Sequence, residues 1–137
     1  MTIKKILNPV DGSECSIKST NYAIELAKSM DAEIILLYCS DRYPVNMGKF
    51  YAHFEYNHHP EDIVEPFIET LKHSDVKFSV KIVEGYPGSK IIEIAKLEKI
   101  DLIVMGSRGL TNFIGLIVGS VAHQIIHKSD CPVFITK

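Results

Sequence analysis

The chain has 137 residues, 46% of them hydrophobic and 23% charged, with 17 acidic against 15 basic side chains and a formal net charge of −2. That is the length of one ordinary domain, able to bury roughly two thirds of its unfolded surface. The composition excludes a disordered or fibrous class, and the near-neutral balance offers no strongly basic face for nucleic acid.

Ile3 to Val10 reads as a first strand, closed by Pro9-Val-Asp-Gly-Ser13. The two lysines near the N-terminus are followed by too short an apolar run for a signal peptide, because Asn8, Pro9 and Asp11 interrupt it. Ser13 suits the N-cap of a first helix, in which Ala23, Ile24, Ala27 and Met30 recur on one face. Ala32 to Ser40, with Ile34-Ile-Leu-Leu-Tyr38 inside it, is a near-continuous apolar run suited to a parallel strand covered on both sides.

Asp41 to Glu61 is polar and aromatic and carries no clear period. Its histidines, His53, His58 and His59, lie among Tyr43, Phe50, Tyr51, Phe54 and Tyr56. They lack helical metal spacing and have no cysteine nearby, so a flap or packing surface is a better reading than a metal site. A helix follows with Ile63, Val64, Phe67, Ile68 and Leu71, and Pro66 predicts that it begins near Glu65 or kinks there.

Lys77 to Glu84 alternates Phe78, Val80 and Ile82 with Lys77, Ser79 and Lys81, the period of a half-exposed strand at a sheet edge. Gly85-Tyr-Pro-Gly88 turns into a helix carrying Ile91, Ile94 and Ala95; Gly88-Ser-Lys90 reads as part of that helix start, not as a phosphate loop. Leu102 to Met105, entered through Asp101, is a central apolar strand. A helix from Ser120 to Lys128 and a last strand, Pro132 to Thr136, complete the chain. His123 and His127 share a face of that helix and, with no third ligand in view, read as surface or interface residues. Five strands with intervening helices predict one domain over residues 1–137, an α/β doubly wound, Rossmann-like parallel sheet with helices on both faces.

The three cysteines, Cys15, Cys39 and Cys131, form no Cys-x-x-Cys pair, so free thiols in a reducing compartment are expected. No apolar run approaches the roughly eighteen residues of a membrane span. A cytoplasmic protein is the expectation.

The stretch after the fourth strand, GSRGLTNFIGLIVGS, holds Gly106, Gly109, Gly115 and Gly119. In open α/β sheets ligands sit beyond the carboxyl ends of the strands, and both Gly106 and Asp11 fall at such ends. A glycine-rich turn entering a helix suits a phosphate. It is equally explained by a long turn whose glycines supply positive φ. Neither a P-loop nor the Gly-x-Gly-x-x-Gly dinucleotide fingerprint is present.

Gly106-x-x-Gly109, nine residues, then Gly119-Ser120, together with Pro9-x-Asp11-x-Ser13, resembles the universal stress protein family. The likeness spans the chain from Asn8-Pro-Val-Asp-Gly-Ser13 through Met105-Gly-Ser-Arg-Gly109 and Gly119-Ser-Val121 to Ser129-Asp-Cys-Pro-Val133. The resemblance implies a strand order 3-2-1-4-5 and the ATP-binding branch of the family, a stress-response regulator binding ATP, or AMP or ADP, with or without Mg. Carried over by position, Met105, Gly106, Ser107, Arg108 and Gly109 run beside ribose and phosphates. Gly119, Ser120, Val121 and Ala122 hold phosphates, Ala122 standing where many members have Ser or Thr. Pro9, Val10, Asp11 and Ser13 flank the adenosine, and Cys39 falls near the adenine. Asp11 accepts a ribose hydroxyl or joins a magnesium shell, or merely opens the turn before the first helix. Gly115 lies in the spacer with Phe113, Ile114, Leu116 and Ile117, a packing or dimer-facing segment.

The resemblance also implies a homodimer paired through Pro132, Val133, Phe134, Ile135 and Thr136. No catalytic residue is assigned, since Asp11 is the only good acidic candidate. A slow Mg-dependent ATPase or phosphotransferase, and a nucleotide-free interaction module, stay as alternatives.

Overall fold

The computed structural model describes residues 2–40, 59–108 and 118–137. The aromatic and histidine region at 41–58, Gly109 and the spacer around Gly115 lie outside the described residues. Five strands, β1 (Lys5–Val10), β2 (Glu33–Ser40), β3 (Phe78–Glu84), β4 (Leu102–Gly106) and β5 (Val133–Thr136), form one parallel sheet in the order β3-β2-β1-β4-β5. Between them run α1 (Glu14–Met30), α2 (Pro60–Lys72), α3 (Pro87–Leu97) and α4 (Ser120–Lys128).

The strands alternate side chains between two cores, which is why the central ones read as continuous apolar runs. Ile6, Ile34, Leu36, Leu102 and Val104 pack with Ala23, Ile24 and Ala27 of α1 and Val64, Phe67 and Leu71 of α2. Leu7, Ile35, Leu37, Ile103 and Met105 pack with Ile91 and Ile94 of α3 and Ala122 and Ile125 of α4. Helices therefore cover both faces.

Two polar devices fix this arrangement. Asp101 Oδ2 accepts the backbone N–H groups of Lys4 and Lys5, each at 2.9 Å, tying the start of β1 to the entry of β4. Asn8, fully buried in β1, donates to the Val104 carbonyl at 2.9 Å and to Ser19 Oγ at 3.2 Å, and accepts from Thr20 Oγ1 at 2.6 Å. A buried amide is tolerable only when so satisfied.

Two expectations are corrected. Of the two alternatives posed by Pro66, a start near Glu65 is overturned: helix α2 starts at Pro60, with that proline in its first turn, where the missing N–H costs nothing. Pro66 lies inside the helix, on its exposed side, while Val64, Phe67 and Leu71 are buried. Burial of that apolar face outweighs the one backbone bond lost at proline. In β3, an edge strand as expected, Phe78 and Val80 pack on the first core but Ile82 is 40% exposed, and Val83 packs on the opposite core. Ile82 lies near the carboxyl end of a strand that, among the described residues, is flanked by β2 alone. Lys81 of this strand hydrogen-bonds Glu98, at the end of α3, at 2.9 Å. That bond holds the Glu98 carboxyl below the usual carboxylate range, against an opposing pull from burial and with the charges of Lys81 and Lys5 adding to it.

Candidate functional site

The chain runs from β1 outward to β2 and β3, then crosses to β4 on the other side of β1. The carboxyl ends of β1 and β4 therefore splay apart, the place where open α/β sheets leave a crevice. A cleft of about 290 Å³ lies there. β1 supplies Pro9 and Val10 to its wall, followed by Asp11; β2 supplies Leu37, Tyr38 and Cys39; β4 and its exit supply Met105, Gly106, Ser107 and Arg108. The first turn of α4 and its cap close it with Gly119, Ser120, Val121 and Ala122.

All but two of the residues expected from the sequence thus face one space. Ser13 does not line it; its hydroxyl oxygen accepts the Ser16 N–H at 3.2 Å and caps α1. Gly109 falls outside the described residues. Residues that the sequence reading missed are Ser16, Leu37, Tyr38, Pro87 and Ile91. Leu37 and Tyr38 could have been found as neighbours of Cys39 at a strand end. Pro87 and Ile91 had no such signal, since an apolar residue on a helix face looks the same whether it meets a core or a ligand.

Each expected polar group has a definite environment. Asp11 Oδ1 accepts the Ser13 N–H at 2.9 Å, so its carboxylate is oriented by the turn while still lining the cleft. Asp11 therefore opens the turn before α1 and also stands in the cleft wall. Gly119 caps α4 without any side-chain hydrogen bond. The first intrahelical bond is His123 N–H to the Gly119 carbonyl at 2.9 Å, leaving the amides of Ser120, Val121 and Ala122 without intrahelical acceptors. These donors sit at the positive end of the helix dipole. The Ala122 side chain is buried in the second core, so at this position only the backbone serves the cleft.

Ser107 joins three elements. Its N–H donates to the Thr136 carbonyl at 2.7 Å, and its carbonyl accepts the Gly119 N–H at 2.6 Å. Its hydroxyl is buried and, among the described residues, is the one buried side-chain polar atom with no partner. Such an orphan costs about 1–3 kcal/mol unless something meets it, and it belongs to a residue lining the cleft. Arg108, next to it, is exposed and forms no ion pair with a described residue.

Gly106 and Gly119 behave differently from a flexible turn. Positive φ occurs at Gly12 and Gly85, not at Gly106 or Gly119. A Cβ on Gly106 would stand 2.6 Å from Cys15 Cβ and 2.9 Å from the Cys15 carbonyl carbon. Gly106 is therefore needed for close packing of β4 on α1, while its backbone borders the cleft.

Among the described residues no group of three or more His, Cys, Asp or Glu could hold a metal, and no helix is long and apolar enough to cross a membrane. Cys15, Cys39 and Cys131 are in no disulfide.

Comparison with known proteins gives a consistent picture. The model for the universal stress protein family matches residues 2–137. The chain is 36% identical over 142 residues to universal stress protein MJ0531 of Methanocaldococcus jannaschii, covering 98% of this chain and 82% of that one. The solved structure of MJ0577 from the same archaeon superposes with a TM-score of 0.85 at 30% identity, covering 100% of this chain and 97% of that one. An Arabidopsis thaliana protein of the family, solved with AMP bound, is similar in fold with a TM-score of 0.69 at 21% identity, over 98% of this chain and 91% of that one.

Proposed function

This chain belongs to the universal stress protein family, and we propose that it is an adenine-nucleotide-binding member that holds ATP in the cleft between β1, β4 and α4 and acts as a nucleotide-dependent regulator of the stress response in the cytoplasm. The observation that carries this reading is the convergence, at one strand-order switch point, of an uncapped helix N-terminus with the orphaned hydroxyl of Ser107. Both are donors awaiting an acceptor, which a phosphate supplies. The residues present fit the nucleotide. The amides of Ser120, Val121 and Ala122 would hold phosphate oxygens, Ser107 Oγ would donate to one, and Arg108 would balance their charge. Pro9, Val10, Leu37, Cys39 and Met105 offer an apolar bed for the base, and Gly106 lets the backbone run beside the ribose. Asp11, repelled by phosphate, would accept a ribose hydroxyl or stand on a magnesium shell. AMP bound to the Arabidopsis relative supports an adenine nucleotide as the ligand class.

Isothermal calorimetry with ATP and AMP, with and without magnesium, tests this together with a turnover assay. Saturable binding without turnover is the expected result. No binding by the native protein would sink the reading. Multiple turnovers to ADP, abolished by Asp11→Ala, would replace it with a slow ATPase.

The reading includes a homodimer made by antiparallel pairing of β5. This strand ends the sheet, with β4 on one side and no described strand on the other. Val133 and Ile135 pack on one core while Phe134, 37% exposed, meets Tyr22 with ring centres 5.6 Å apart. Such an edge, apolar on both faces, invites a partner. Phe134→Asp is expected to shift the protein to monomer in sedimentation velocity; an unchanged dimer would count against pairing through this strand.

A further inference from the structure

The outer face of α4 carries two histidines away from the cleft. His123 and His127, one helical turn apart, bring their ring centres to 4.5 Å at an interplanar angle of 56°. Both side chains are exposed, and neither is committed to another described group. We infer that they form a two-histidine site for a borderline divalent cation, copper(II) or nickel(II) ahead of zinc.

The spacing carries the argument. An imidazole nitrogen stands about 2.0–2.1 Å from its metal, which puts the ring centre roughly 3.2 Å from it. Two rings bound at a right angle then have centres about 4.5 Å apart, and two bound at the tetrahedral angle about 5.2 Å. The observed separation leaves both rings within reach of one ion, and a right angle between ligands belongs to square-planar and octahedral ions. Copper(II) and nickel(II) favour nitrogen ligands in those geometries. The i, i+4 spacing on a helix is the one by which histidine pairs chelate in known metal motifs. His127 lies in the last turn of α4, where the helix dipole favours positive charge. Since no third His, Cys, Asp or Glu joins them among the described residues, water completes the shell. Exposure makes room for it.

The test titrates the untagged full-length chain with nickel(II), copper(II) and zinc(II) salts near neutral pH, followed by calorimetry and visible absorption. One ion per chain is expected, with copper tightest and nickel ahead of zinc. An outer-shell partner of a ligand is worth about ten- to a hundredfold in affinity, so His123→Ala and His127→Ala should each cost no less. His73→Ala, at an isolated histidine on another element, should leave binding unchanged. Because both rings are exposed, the variants should keep the native circular dichroism spectrum. Affinity retained in the His123→Ala/His127→Ala double variant would put the ion on other histidines and overturn the assignment. So would the absence of saturable binding, or zinc binding ahead of nickel.

Discussion

Replacing Gly106 by alanine is expected to destabilise the fold by about 1–3 kcal/mol, the usual range of overpacking in a well-packed core. The sign of this effect is informative. At an unstrained position with room, Gly→Ala stabilises by about 0.4–1 kcal/mol, because it stiffens the unfolded chain. Gly106 has no positive φ, so backbone strain is not the objection. The objection is space: the added Cβ would meet Cys15 Cβ at 2.6 Å and the backbone carbon and oxygen of Cys15 at 2.9 and 3.0 Å. Backbone atoms of α1 cannot step aside without moving the helix, whose start also carries the Ser13 cap and the Asp11 turn. Thermal denaturation checks the prediction. A variant as stable as the parent would mean that α1 and β4 are not packed as described.

Gly119→Val should do the opposite, leaving the fold and removing the ligand. Gly119 has φ −70° and ψ 165°, an extended conformation that valine adopts without strain. Its N–H bond to the Ser107 carbonyl survives the change. What the side chain does is crowd the mouth of α4, where the amides of Ser120, Val121 and Ala122 are proposed to meet phosphate. Hydrogen bonds to charged groups are worth about 1.5–3 kcal/mol each, so losing one lowers ATP affinity by about 10- to 160-fold. Calorimetry on a variant with an unchanged melting temperature measures this directly. Normal ATP binding would show that the phosphates lie elsewhere. The two glycines of one motif thus separate experimentally, one by stability and the other by binding.

Most of the fold was legible because α/β periodicity is a local signal. The apolar run at 34–38 and the alternation beginning at Phe78 each announce a strand, and the helix expected from about Ser120 to Lys128 is α4. Local rules failed where a tertiary contact overrode them. Pro66 suggested a later helix start, but the buried stripe of Val64, Phe67 and Leu71 carries the helix through it. Ile82 kept the strand period yet emerged into solvent, because exposure at an edge depends on what covers it. In the site, residues at strand ends were legible because topology alone puts them together. Pro87 and Ile91 were not, because their helix reaches the cleft only through packing on the second core.

By itself the sequence determined the order of elements, the doubly wound parallel sheet and the family, since these rest on periodicity and on motifs at recurring spacing. Only the tertiary structure decided that Gly106 makes room for α1, and that Pro87 and Ile91 reach the cleft. It alone decided that Ser107 keeps a buried hydroxyl with no partner among the described residues. The physical reason is the same in each case: a side chain's role is set by what lies within about 4 Å of it, the range of contact, and residues far apart in the chain supply those neighbours.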